Sequence, residues 1–386
     1  MATHMQRIDR IARLVAEHSV SSSVPALDQG NRAVVDVLAD MLDRVGFRVE
    51  VLPLPEAPHK ANLIATLGAG EGGLVLAGHT DTVPCDPEQW TCDPFRLTAR
   101  DGRLHGLGAA DMKAFLALAV EVGEGLSPDQ LHAPLIILAT ADEETTMAGA
   151  RALVAMQRPK ARHAIIGEPT DLLPVHAHKG HLVEQLRVVG RSGHSSDPQL
   201  GNNALDGMAR VLSALLTLRE AWSARYRNEA FALPLPTLNL GRVHGGDSAN
   251  RICGECELDL DVRLLPGMEL GWVRDELRRC ALEALVGTGL RLEQRSLDPG
   301  VPAYQLRVDT VLQRTVEALT GEGARAVAFG TEAPHFSALG MDTMVFGPGS
   351  IEQAHQPDEF VREDRLEPTV QMLKATVERL CKAPAA

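Results

Sequence analysis

The sequence predicts an α/β protein with two domains, and three observations support this prediction. Short apolar runs typical of buried strands, such as Leu74–Gly78 and Leu135–Ala139, alternate with stretches of helical periodicity. Residues 182–296 instead follow the order strand-helix-strand-strand-helix-strand, which is that of a ferredoxin-like module. A chain of 386 residues is also longer than one core usually supports. We therefore expect a larger domain, formed by residues 1–181 and 297–386, with an inserted module between its two parts.

The larger domain begins with two amphipathic helices, the second covering about residues 29–45. The next predicted elements are strands at Arg48–Leu52, Asn62–Leu67 and Leu74–Gly78, a helix at Met112–Val122, and strands at Leu135–Ala139 and Ala164–Ile166. After the module come a helix from Asp309, strands near Ala326–Phe329 and Met344–Phe346, and a final helix near Pro368–Cys381. This alternation predicts a sheet with helices on both faces.

The inserted module has its own sequence of elements. They are a strand at Leu182–Val189, a helix at Ala204–Tyr226, strands at Thr237–Val243 and Glu255–Leu264, a helix at Leu270–Leu285 and a strand at Leu290–Arg295. A glycine turn after the first strand carries His194 in the segment RSGHSS.

Composition disfavours several classes of partner. The net charge of −13 does not suit binding to a phosphate backbone, and aromatic residues are only 3% of the chain. Apolar runs stay well below the ~20 residues of a membrane span, and the first residues lack a hydrophobic signal segment. We expect no nucleic-acid partner, no membrane association and a cytoplasmic location.

Acidic and imidazole side chains follow several of the predicted strands. They are His79 and Asp81 after the Leu74 strand, Asp142, Glu143 and Glu144 after the Leu135 strand, and Glu168 after the Ala164 strand. Asp111 follows a glycine turn, and His355 lies in the loop after the Met344 strand. Ligands of open α/β sheets bind at the carboxyl ends of the strands. Any one of these residues is more often an ordinary loop residue, but their recurrence at equivalent positions indicates a site.

Five of these residues form a donor set for metal ions: His79, Asp111, Glu144, Glu168 and His355. Two imidazoles and three carboxylates suit Zn²⁺, Co²⁺ or Mn²⁺. One catalytic zinc keeps an open position and uses fewer protein ligands, so a pair of ions fits the number better. Asp111 is the natural bridging ligand in such a pair. Two ions about 3.5–4 Å apart would stabilise the attacking and the acyl oxygen of a hydrolysis.

The chain resembles the dinuclear-zinc amidohydrolases and peptidases, a family that includes aminoacylase, succinyl-diaminopimelate desuccinylase and carboxypeptidase G. The matching segments are GHTDTVP, GLGAADMK, ATADEET, GEPT, GHSS and AHQPDEF, which extend along most of the chain. This resemblance implies a mixed-sheet, zinc-peptidase-like catalytic domain whose inserted module forms a homodimer.

The resemblance also implies roles for individual residues. His79 and Glu168 would bind one zinc, Glu144 and His355 the other, and Asp111 would bridge them; Glu143 would be the general base, Asp81 would orient His79 through its carboxylate, and His194 would donate to the oxyanion in the partner subunit's site. The peptide bond between Asp111 and Met112 would be cis. Zn²⁺ is the expected metal, at two ions per subunit, and Co²⁺ is the alternative.

The segments HKGH, SGHSSDP, GTEAP and GPGSIEQAHQPDEF are similar to the family members that act on N-acetylornithine. The implied reaction is hydrolysis of its N2-acetyl amide to ornithine and acetate, a step of arginine biosynthesis. Asn250 and Arg263 are candidates for binding the substrate carboxylate, and Glu332 for binding the ammonium. His335 stands where the pattern is usually apolar, which leaves N-acetylcitrulline as an alternative substrate. Succinyl-diaminopimelate is a further alternative, but it would call for another basic group in the GTEAP loop, and none is present.

A non-catalytic scaffold dimer with the same fold is the alternative from a different functional class. Such a protein would be expected to have lost at least one metal ligand or Glu143. This sequence keeps all six residues, which favours an enzyme.

Overall fold

The computed structural model describes residues 2–382, which form nine α-helices and eighteen β-strands. The helices are α1 (Ala2–Val15), α2 (Arg32–Arg44), α3 (Lys113–Gly123), α4 (Ala148–Met156), α5 (Ala204–Arg225), α6 (Leu270–Ala284), α7 (Val311–Thr320), α8 (Ala333–Ala338) and α9 (Leu366–Cys381). The strands are β1 (Arg48–Leu54), β2 (Ala57–Leu67), β3 (Leu74–His79), β4 (Thr98–Arg100), β5 (Arg103–His105), β6 (Leu135–Thr140), β7 (His163–Ile166), β8 (Val175–His178), β9 (Gly180–Val189), β10 (Gly193–His194), β11 (Thr237–Gly245), β12 (Arg251–Ile252), β13 (Glu255–Leu264), β14 (Arg291–Ser296), β15 (Tyr304–Gln305), β16 (Arg325–Val327), β17 (Asp342–Val345) and β18 (Phe360–Arg362). Within this described part, none of the helices has an apolar stretch long enough to cross a membrane.

The chain divides into two compact units. The larger unit runs to His176 and includes Leu306–Arg325 and the chain from Thr331 onwards. The inserted unit comprises Ala177–Gln305 and the short segment Ala326–Gly330. Residues 182 and 296, the expected limits of the module, both lie inside this second unit.

The sheet of the larger unit is mixed, as the sequence predicted. Its strands run in the order β1-β2-β6-β3-β7-β17. The four strands β6, β3, β7 and β17 are parallel to one another. β2 pairs with β6 in the antiparallel direction, and β1 pairs with β2 in the same way. All six residues of β3 and all six of β6 are buried, as expected for strands covered on both faces. The carboxyl ends of β3, β6 and β7 therefore lie side by side at one edge.

Helix α3 is the central helix of the larger unit. All eleven of its residues are buried, and it contacts α1, α9 and β3. Its sequence, KAFLALAVEVG, is apolar on every side, which suits a helix enclosed by other elements. Gly167, at the end of β7, lies so close to it that a Cβ there would be 1.9 Å from Cγ of Phe115. A side chain at this position would push β7 and the residue after it away from α3.

The inserted unit has the predicted ferredoxin-like arrangement. Its antiparallel sheet has the order β11-β13-β9-β14. Along the chain, α5 lies between β9 and β11, and α6 lies between β13 and β14. Burial alternates along β13, since one face packs against the helices and the other does not. Leu186 and Leu260 from the sheet join Val211 and Leu277 from the helices in one apolar core.

Candidate metal centre

The candidate centre lies at the carboxyl ends of three adjacent parallel strands. β3 ends at His79, β6 is followed by Asp142, Glu143 and Glu144, and β7 is followed by Glu168. Because β3 pairs in parallel with both β6 and β7, the three loops leave the sheet at the same edge. His79 is 1% exposed and Glu168 is 5% exposed, so this edge holds imidazole and carboxylate groups that are largely removed from water.

Asp111 lies between the two histidines. Its Oδ1 is 3.0 Å from Nε2 of His79, and its Oδ2 is 3.7 Å from Nε2 of His355. The same nitrogen of His355 is 3.0 Å from Oε2 of Glu144. Each oxygen of one carboxylate thus faces a different imidazole, which is the arrangement that a ligand shared by two cations requires.

The donor atoms form two overlapping groups. Nitrogen and oxygen atoms of His79, Glu143 and Glu168 lie within 4.8 Å of one another, and so do those of His79, Asp111 and Glu144. Both glutamates of the ATADEET segment therefore face the centre. The sequence had assigned only Glu144 to the metals, and the structure shows that Glu143 is close enough to act on the same small volume.

The electrostatics of this cluster fit a cation. Burial, and next the Glu168 carboxylate, raise the pKa of Glu143 well above its usual range. Burial and the neighbouring Asp111 do the same to the pKa of Glu168. Among the residues that the structure describes, Oε1 of Glu168 is buried without a hydrogen-bond partner. A divalent ion would pair with these oxygens and remove the repulsion between them, so the residues present suit the expected metal.

Asp81 connects the histidine to the glutamates. Nδ1 of His79 lies 2.9 Å from the main-chain oxygen of Asp81 and 3.8 Å from its carboxylate. The hydrogen bond that orients the ring therefore runs to the main chain, whereas the sequence predicted the carboxylate. That carboxylate instead accepts the backbone N–H groups of Glu143 and Glu144, at 3.2 and 3.1 Å. Asp81 thereby fixes the loop that carries both glutamates.

A buried ion pair holds the other side of the same loop. Nζ of Lys60 donates to Asp142 at 2.6 Å and to Asp28 at 2.8 Å, and the hydroxyl of Ser21 donates to Asp142 at 2.9 Å. Lys60 is 5% exposed and Asp142 is 7% exposed. Lys60 could not be recognised from the sequence, because a single lysine in a strand carries no sign of its partners.

Replacing Lys60 is expected to destabilise the protein strongly. In Lys60→Met the carboxylates of Asp142 and Asp28 lose their cation, and breaking a buried pair costs about 3–5 kcal/mol. Urea denaturation should show this loss in the free energy of unfolding. Lys160→Met is the matched control, since Lys160 is exposed and a surface change of this kind costs at most about 0.5 kcal/mol. Equal unfolding midpoints for the two variants would contradict the role given to Lys60.

Glu359 holds the loop that carries Asp111. Its buried carboxylate accepts the backbone N–H groups of Gly108, Ala110 and Asp111, at 3.0, 2.7 and 3.0 Å. Lys113 is buried beside this loop and donates from Nζ to the main-chain oxygen of Glu17 at 2.8 Å. The peptide bond after Asp111 is cis, as the resemblance implied. Glu359 belongs to the AHQPDEF segment, but an acid in a loop gives no sign in the sequence that its partners are backbone N–H groups.

Glu332 is buried beside Thr140, the last residue of β6. Its side chain is fully buried, and its Oε2 accepts a hydrogen bond from the Thr140 hydroxyl at 2.8 Å. Burial raises the pKa of Glu332 to about 7. This carboxylate has no exposed surface, and the contact with a substrate ammonium that was predicted for it stays a prediction. His335 lies nearby in α8, where burial and the Arg151 charge lower its pKa to about 4.

Three predicted residues belong to the inserted unit. His194 is exposed in the short strand β10, and its Nδ1 is 2.7 Å from the hydroxyl of Ser196. The structure brings Asn250 next to it, since the main-chain oxygen of Asn250 accepts the N–H of Ser195 at 3.1 Å. Arg263 lies on β13 and donates from Nε to Asp261 at 3.1 Å.

Comparison of the sequence with known families gives a match over most of the chain. The pattern of the family described as "Peptidase family M20/M25/M40" matches residues 75–379. Acetylornithine deacetylase of Proteus mirabilis (strain HI4320) is 47% identical over 379 residues, covering 98% of each chain. Acetylornithine deacetylase of Edwardsiella ictaluri (strain 93-146) is 47% identical over 369 residues, covering 96% of each chain.

Solved structures of low sequence identity share the fold. A tripeptidase from Staphylococcus aureus superimposes with a TM-score of 0.76 at 18% identity, covering 98% of each chain. The M20 family metallo-carboxypeptidase Sso-CP2 from Sulfolobus solfataricus gives 0.74 at 17% identity, over 96% of this chain and 98% of that one. The YXEP protein of Bacillus subtilis, described as a dinuclear metal-binding peptidase from the M20 family, gives 0.68 at 17% identity, over 98% and 99%. These likenesses confirm the predicted mixed α/β fold.

Proposed function

This chain belongs to peptidase family M20/M25/M40 and is a metal-dependent hydrolase, and from that premise we propose that it removes the acetyl group of N2-acetylornithine. The products are ornithine and acetate, which places the reaction in arginine biosynthesis. The observation that carries the proposal is the 47% identity to an acetylornithine deacetylase over 98% of the chain. The matched part of the chain includes the inserted unit as well as the residues of the candidate metal centre.

The chain's own residues divide the work of holding two cations. His79 and Glu168 would hold one ion, Glu144 and His355 would hold the other, and Asp111 would be shared. The position of Asp111 between the two imidazoles supports this division. Zn²⁺ is the proposed metal, with Co²⁺ as the alternative, because imidazole and carboxylate donors suit both. When bound, two such ions polarise the acyl carbonyl and lower the pKa of the attacking water.

Glu143 moves the proton. Its carboxylate accepts a proton from the attacking water and delivers it to the nitrogen of the departing amine, so that this nitrogen leaves as a neutral group. The bond from its backbone N–H to Asp81 keeps Glu143 beside the cluster while the proton is transferred. The proton carrier Glu143 and the proposed metal ligand Glu144 are thus neighbours in sequence, and the Asp81 carboxylate holds the backbone N–H groups of both.

The proposed enzyme is a homodimer formed through the inserted unit. In the described part of the chain, β11 pairs only with β13 and leaves its other edge open, and Val243 on that strand is 47% exposed. An open edge strand is a surface through which two copies can pair. His194 of the partner subunit would donate to the oxyanion, and its exposure supports a role outside its own unit. Arg263 and Asn250 would bind the substrate carboxylate.

A panel of acylated amino acids tests the substrate. N-acetylornithine, N-acetylcitrulline, N-acetylmethionine and succinyl-diaminopimelate are assayed with the Zn²⁺ and the Co²⁺ form of the protein. The highest kcat/KM is expected for N-acetylornithine. A higher kcat/KM for N-acetylcitrulline would instead indicate a deacetylase of acetylated amino acids that have neutral side chains. Release of succinate from succinyl-diaminopimelate would indicate a desuccinylase. The cytoplasmic location stays a prediction of the sequence.

A further inference from the structure

A small pocket adjoins the candidate metal centre on the side of His355. It has a volume of about 250 Å³. Its lining includes Asp86, Gln89 and Trp90 from one segment of the chain and His355, Gln356 and Pro357 from another. We call this the Trp90 pocket. Since one water molecule occupies about 30 Å³, the volume is ample for a chain of three methylenes ending in an ammonium.

The Trp90 pocket has the chemistry to bind a cationic chain. Asp86 supplies its carboxylate, and the indole of Trp90 and the apolar side chains of Val83 and Leu107 supply surfaces for methylenes. An ammonium is stabilised by a hydrogen-bonded ion pair with a carboxylate and also by cation–π attraction to the face of an indole. The lining of the pocket thus contains both the charge and the apolar surface that an alkylammonium needs.

Asp86 is held in place by the turn that follows it. The carboxylate caps the 3₁₀ turn Pro87–Gln89, with Oδ1 accepting the N–H of Glu88 at 3.1 Å and Oδ2 accepting Nε2 of Gln89 at 3.0 Å. Each carboxylate oxygen has two lone pairs, so both can accept a further hydrogen bond. The carboxylate is thereby oriented and can still accept further hydrogen bonds. Asp86 is exposed, whereas Glu332 is fully buried.

We propose that the Trp90 pocket takes the cationic side chain of the substrate and that Asp86 pairs with its δ-ammonium. This inference rests on the proposed function and adds the residue that distinguishes a charged side chain from a neutral one. The scissile amide lies at the metal centre, and the side chain extends past His355 into the pocket. Asp86 is a specificity residue and takes no part in the proton transfer.

The test compares N-acetylornithine with N-acetylnorvaline, which has the same carbon chain without the amine. In Asp86→Asn, kcat/KM for N-acetylornithine should fall about tenfold, the usual scale of a partly exposed charge pair. The value for N-acetylnorvaline should stay within about twofold of wild type, because asparagine keeps the cap of the turn. Glu88→Gln is the matched control: it removes an exposed carboxylate from the same turn, outside the lining of the pocket, and should change neither value.

Glu332→Gln completes the set. Glu332 accepts a hydrogen bond from Thr140, and Thr140 is paired with His79 in the sheet. Glu332→Gln should therefore lower kcat/KM for both substrates by the same factor. An equal fall for both substrates in Asp86→Asn, or no fall for either, would overturn the proposal, and so would a selective loss of N-acetylornithine in Glu332→Gln. Failure of the wild-type protein to release acetate from N-acetylornithine would instead reject the proposed function, and the two failures are therefore distinguishable.

Discussion

Glu143→Ala is expected to lower kcat by about 10²–10⁴-fold, the usual scale for removing a general base. Both metal ions should stay bound, because the five assigned ligands are untouched. The structure makes this a sharp test, since oxygen atoms of Glu143 lie within 4.8 Å of donor atoms of His79 and Glu168. Position alone would therefore also suit a ligand. Acetate release gives kcat, and elemental analysis of the same sample gives the metal content.

Glu144→Ala is the matched control for this variant. The two glutamates are neighbours, and both backbone N–H groups are held by Asp81, so the substitutions disturb the loop similarly. We expect Glu144→Ala to lose one ion per subunit, since Glu144 pairs with His355 at 3.0 Å. A missing ion in Glu143→Ala with full occupancy in Glu144→Ala would show that the two roles are reversed.

Mixing two inactive homodimers is expected to restore activity. His194→Ala should lower kcat by about 10²–10³-fold, as removal of one oxyanion donor does in other hydrolases, and Glu143→Ala should be inactive for the reason given above. If His194 acts on the partner subunit's site, a mixed dimer has one site with both residues intact. Random exchange makes half of the dimers mixed, each with one working site of two, so about a quarter of wild-type activity should return.

The control for this experiment is a mixture made without subunit exchange, which should stay inactive. If His194 serves the site of its own chain, every site in the exchanged mixture lacks one of the two residues. Activity would then stay at the level of the single variants after exchange. That result would remove the in-trans role of His194 without affecting the assignment of Glu143.

The sequence was most informative where local pattern and tertiary position agree. The run Leu74–Gly78 is apolar throughout and is fully buried in β3, so its length and composition were enough to predict a central strand. The alternating pattern of Glu255–Leu264 likewise matches β13, which is buried on one face. In both cases the residues that determine the structure lie within one strand, so the pattern of apolar residues along that strand is enough to predict it.

Short helices and long-range partners were less predictable. The short helices α8 (Ala333–Ala338) and α4 (Ala148–Met156) were not among the predicted elements. Six and nine residues give too few turns for an apolar stripe to appear. The burial of Glu332 was not predictable for a different reason. Its environment is set by Thr140, almost two hundred positions away, and a lone acid in a loop does not reveal whether it faces substrate or core.

The proposed function requires the cluster around Asp111 to be a two-metal centre that hydrolyses an acetyl amide. Titration of metal-free protein with Zn²⁺, with acetate release from N-acetylornithine as the readout, tests this claim most directly. No acetate without metal, and a rise to a plateau at two ions per subunit, is the expected result. Acetate release by the metal-free protein, or none with two ions bound per subunit, would contradict it.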